Sequence, residues 1–120
     1  MPRSVLRLAA LLVLLAGPAA AHAVLMAATP ADRAEVKAGQ VPITLRFNSR
    51  IDAARSRVTL AQRAEPPHAL PLAAAAPDLL AGTADLAPGA YVLRWQVLAT
   101  DGHITRGEIR FTVVPVVDAH

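Results

Sequence analysis

The chain has 120 residues, a formal net charge of +3 and no cysteine. That length favours one domain. The missing cysteines exclude disulfides, thiolate metal sites and cysteine nucleophiles, and no basic stripe with interleaved aromatics points to nucleic acid.

In chain order, Arg3 and Arg7 give a positive start, residues 8–16 are an unbroken apolar run, Gly17-Pro18 ends it, and Ala19-Ala20-Ala21 supplies small residues. This is the grammar of a secretory signal peptide cleaved after Ala21. The run is about half of the ~20 residues that a bilayer span needs, so no membrane insertion is expected after processing. The mature chain would keep 99 residues and a charge near +1, because the two arginines leave with the leader. That is enough for one modest core.

Residues 24–26 read as a short first strand before Thr29-Pro30. Ile43, Leu45 and Phe47 alternate with polar neighbours, and Val58 and Leu60 repeat the pattern briefly. Residues 61–87 are rich in alanine and proline and read as loops with one or two weak strands. Tyr91, Leu93, Trp95 and Val97 share one face of a longer run, with Tyr91 and Trp95 as core aromatics. Ile109, Phe111 and Val113 form the last alternating run, with Arg106 and Glu108 as a solvated pair. Period-two alternation with turn residues between the runs is the signature of strands. About seven short strands at this spacing predict an all-β, Greek-key sandwich. Pro115 ends the last strand, which leaves residues 115–120 as a tail and residues 22–114 as the domain.

Four histidines are present: His22, His68, His103 and His120. Cleavage after Ala21 makes His22 the first residue, so its α-amine and ring Nδ1 can chelate one ion together. Asp101 and His103 lie two apart in the turn between the two best-defined runs, and side chains at that spacing share a side of an extended segment. His103 offers one nitrogen and Asp101 one oxygen. Three nitrogens and one oxygen suit a single tetragonal Cu(II) per chain, the strongest binder among first-row divalent ions. Each piece has a plainer reading. Asp101-Gly102 is a leading hairpin signal, His68 and His103 can be solvated loop residues, and Ala21-His22-Ala23 also satisfies the cleavage rule, for a cut after Ala23 that would remove His22. Met26 is the mature chain's one methionine and reads as a core residue, so a soft-ligand Cu(I) site is hard to build.

The start, His22-Ala23-Val24-Leu25 followed by Thr29-Pro30-Ala31-Asp32, resembles the opening of the CopC family of periplasmic copper-binding proteins. Residues 88–103, from Pro88-Gly89 through Trp95 to Asp101-Gly102-His103, resemble that family's "PGxYxVxWxVxSxDGH" segment, and residues 107–113 its closing "GxxxFxV" strand. The resemblance implies a seven-stranded Greek-key sandwich or barrel of cupredoxin-like shape. It also implies Cu(II) held by His22, Asp101 and His103, a periplasmic location, and cleavage after Ala21. Members act as copper carriers or scavengers, often beside a membrane copper transporter of the CopD type. Copper and such a transporter are therefore the expected partners, and the chain itself is expected to be a monomer. Two departures stand out. Residues 65–70 carry no methionine where some members have a methionine-rich Cu(I) loop. Asn48, Ser49 and Arg50 follow Phe47 where the family often places an acid.

The expected function is copper binding without catalysis. A histidine-brace copper monooxygenase is the enzymatic alternative. The short chain, its few aromatics and an Asp101 ligand where oxygen would bind all oppose it. The third reading is an exported Ig-like interaction module without metal.

Overall fold

The structure is a computed structural model that describes residues 23–117. The expected leader, His22 and residues 118–120 lie outside the described residues. Nine strands run through them: β1 (Leu25–Thr29), β2 (Glu35–Lys37), β3 (Gly39–Phe47), β4 (Ile51–Gln62), β5 (His68–Ala69), β6 (Ala73–Ala76), β7 (Leu79–Leu86), β8 (Gly89–Ala99) and β9 (Ile104–Val114). One sheet has the order β1-β3-β7-β6 and the other β2-β9-β8-β4-β5. The expected all-β class holds, with no helix among the described residues. The count is nine where about seven were expected, because β2 and β5, of three and two residues, are too short to leave a periodic trace.

The core lies between the sheets and follows the alternation. Val41, Ile43, Leu45 and Phe47 of β3 face Tyr91, Leu93, Trp95, Val97 and Ala99 of β8 and Ile109, Phe111 and Val113 of β9, all buried. Each fully buried large aliphatic or Phe side chain contributes about 1.5–3 kcal/mol. Among the described residues no polar or charged residue is buried. The Tyr91 and Phe111 rings stack with centroids 5.6 Å apart, and the Tyr91 hydroxyl donates to the Ala87 carbonyl at 2.7 Å.

Two stretches depart from the expectation. Residues 61–87 contain a full eight-residue strand, β7, which pairs with β3 along its whole length. Its inward positions are Leu80, Gly82, Ala84 and Leu86, and small residues mute the hydrophobic alternation. A Cβ at Gly82 would stand 2.8 Å from Leu72 Cδ2 and 3.2 Å from the Pro71 carbonyl oxygen, so a larger residue would push both aside. β4 is twelve residues long, yet only its second half looked like a strand. A bulge between Asp52 and Arg57 breaks the period. Ser56 spans the break: its Oγ donates to the Asp52 carbonyl at 2.7 Å and accepts the Leu98 N–H at 3.1 Å. Met26 is not a core residue. It lies on the edge strand β1 and is 64% exposed.

Candidate metal centre

β8 and β9 are joined by residues 100–103. The Ala99 N–H donates to the His103 carbonyl at 2.8 Å, and the Gly102 N–H donates to the Ala99 carbonyl at 2.9 Å. Gly102 takes φ +94°, a conformation that favours glycine. The Asp-Gly pair is therefore a real turn. Asp101 does more than turn the chain. Its Oδ1 accepts the His103 N–H at 3.0 Å, and its Oδ2 lies 3.0 Å from His103 Nδ1. A carboxylate on Nδ1 fixes the tautomer and the ring's orientation. Both side chains reach solvent, at 33% for Asp101 and 56% for His103.

The start of the described chain is pinned at the same end of the sandwich. Ala23 is fully buried in the core. The Val24 N–H donates to Asn48 Oδ1 at 2.8 Å, and the Asn48 N–H donates back to the Val24 carbonyl at 3.0 Å. Two residues on, the Arg50 carbonyl accepts the Thr100 N–H at 3.2 Å, and Ile51 pairs with Ala99. The turn at residues 48–50 thus touches both the chain that follows His22 and the chain that leads into Asp101.

Asp101 and His103 are brought together; His22 lies outside the described residues, and so does His120. Among the described residues no group of three or more His, Asp or Glu side chains is placed to hold a metal. The donors fit a borderline cation, being nitrogen and carboxylate oxygen with no sulfur. His68 is exposed on β5 opposite Leu60, which pairs with Leu93. Leu93 is six strand residues from Ala99, about 20 Å at 3.3 Å per residue, which keeps His68 away from the loop.

The sequence reading missed Asn48, because it searched this turn for an acid. The signal was there: asparagine is a side chain that bonds nearby backbone. Ser49 occupies the same turn, and its Oγ is buried with no hydrogen-bond partner among the described residues. The expected Arg106–Glu108 pair does not form. The register sets Arg94 opposite Glu108 and Gln96 opposite Arg106. Glu108 accordingly accepts from Arg94 at 2.9 Å and Arg110 at 3.2 Å, while Arg106 donates to Gln96 at 2.9 Å. The hydrogen bond from Arg94 holds the Glu108 carboxyl below the usual range, with the Arg110 charge adding to it.

The fold is similar to that of solved structures. CopC from Methylosinus trichosporium OB3b is 29% identical, with a TM-score of 0.74 over 82% of this chain and 100% of that one. PcoC, a methionine-rich copper resistance protein from Escherichia coli, is 23% identical, with a TM-score of 0.64 over 78% of this chain and 100% of that one. No curated protein matches the chain significantly in sequence. The CopC domain family model matches residues 25–114, which hold all nine strands and the Asp101–His103 loop, and the chain therefore belongs to the CopC family.

Proposed function

We propose that this protein is a periplasmic Cu(II)-binding protein that sequesters copper or hands it on, and that it performs no catalysis. The domain would begin at His22 after removal of residues 1–21, and one Cu(II) per chain would be held by the His22 amine and ring, one ring nitrogen of His103 and a carboxylate oxygen of Asp101. A membrane copper transporter of the CopD type is the proposed recipient or donor. The observation that carries this reading is the convergence at residues 48–50: one short turn hydrogen-bonds both Val24 and Thr100. The 3.0 Å approach of the Asp101 carboxylate to the His103 ring supports it, since it sets an oxygen donor and a nitrogen donor side by side on one loop. The copper resistance protein PcoC, similar in fold, is consistent with it. The absence of methionine between residues 27 and 120 favours Cu(II) over Cu(I).

The test is to express the chain through its own leader, sequence the mature amino terminus and titrate Cu(II) under electron paramagnetic resonance. A start at His22 and a signal split by several nitrogens are expected. A start at Val24, or binding no tighter than that of an unstructured peptide, would overturn the reading.

A further inference from the structure

We infer that Asn48 is a positioning residue for the copper centre, holding the amino-terminal segment in register with the loop at residues 100–103. The inference rests on the copper reading above. Asn48 engages Val24 twice, accepting its N–H on Oδ1 at 2.8 Å and donating its own N–H to the Val24 carbonyl at 3.0 Å. Two bonds to one residue fix its rotation as well as its place, which a single bond does not. Ala23, the residue before Val24, is fully buried in the core, so the strand entrance is held by core packing at Ala23 and by Asn48 at Val24. Three residues of covalent chain and one hydrogen bond, Thr100 N–H to Arg50 carbonyl, then connect Asn48 to the residue before Asp101.

A metal whose donors come from two distant segments gains affinity when both are held in place beforehand. His22 is covalently next to Ala23, so freedom at Val24 would pass directly to a chelating terminus. Asn48 removes that freedom without offering a ligand. It stands in the turn where the family often has an acid, and it supplies geometry in place of charge. A merely structural Asn48 would affect melting but leave the copper spectrum alone.

The experiment compares processed wild type, Asn48→Ala, Asn48→Asp and His103→Ala, with Cu(II) added as the probe. Affinity is read by chelator competition, ligand geometry by electron paramagnetic resonance, and folding by thermal melting. Asn48→Ala is expected to weaken Cu(II) binding about 10–100-fold, the usual effect of losing an outer orienting partner, and to alter the nitrogen splitting. Asn48→Asp keeps the acceptor oxygen and is expected to keep the wild-type splitting. An unchanged affinity and spectrum in Asn48→Ala would overturn the role of Asn48 while leaving the copper reading intact. Equal damage in both variants would overturn it too, since the acceptor would then be irrelevant. Hydrogen exchange at the Val24 amide of the wild type gives a check that needs no variant: protection is expected, and rapid exchange overturns the inference. Wild type that binds no Cu(II) sinks both readings together.

Discussion

Trp95 and Gly107 are register partners on β8 and β9, and the indole of Trp95 fills the space that a side chain at 107 would need. A Cβ on Gly107 would lie 2.2 Å from Trp95 Cζ2. Gly107→Ala should therefore overpack the site. Such insertions cost about 1–3 kcal/mol, and each kcal/mol lowers Tm by roughly 4–8 °C in a domain of this size. Thermal unfolding followed by circular dichroism checks this, and an unaltered Tm would mean that the indole swings away freely.

Asp101 and His103 should separate by role. His103→Ala removes a donor and is expected to abolish tight Cu(II) binding. Asp101→Asn keeps a neutral oxygen donor but loses the carboxylate charge, so a partial loss of Cu(II) affinity is expected. Chelator competition measures both. Loss in Asp101→Asn as complete as in His103→Ala would contradict this ranking.

An extra residue in front of His22 turns its amine into an amide. Ala23 and Val24 keep their contacts in such a variant, so melting should hold while Cu(II) binding falls steeply and nitrogen splitting is lost. Wild-type affinity in the extended protein would remove the amine from the ligand set.

Tyr91 is the chain's one tyrosine, which makes its titration readable by ultraviolet absorbance. Burial pushes its phenol up from the usual value, and the Glu65 charge adds to the rise. The folded state therefore favours the neutral phenol. That contribution is complete below the unfolded pKa of about 10 and is lost as pH rises through the folded value. Stability should fall above pH about 10 in wild type more than in Tyr91→Phe. At neutral pH Tyr91→Phe should cost about 1 kcal/mol, for the lost bond to the Ala87 carbonyl. Parallel stability curves for the two proteins at high pH would refute the shift.

The strands that the sequence showed clearly were those with large apolar residues at every second place. β3, β8 and β9 pack Ile43, Leu45, Phe47, Leu93, Trp95, Ile109 and Phe111 on one face, and hydrophobic period alone identifies such strands. β7 stayed hidden because Gly82 and Ala84 face inward as small residues, and β4 because its bulge resets the alternation at Asp52. Met26 misled for a related reason: residue type says nothing about lying on a sheet edge.

By itself the sequence determined the fold class, the hairpin at Asp101-Gly102, and the pairing of a carboxylate with an imidazole two residues away. These are local properties, set by side-chain period, by glycine's freedom at φ +94° and by short covalent reach. Only the tertiary structure decided what stands beside that loop. The contacts of Asn48 with Val24 and of Arg50 with Thr100 join segments 24 and 50 residues apart in the chain. Neither contact has a local pattern, because each depends on how β1, β3, β4 and β8 pack around one core.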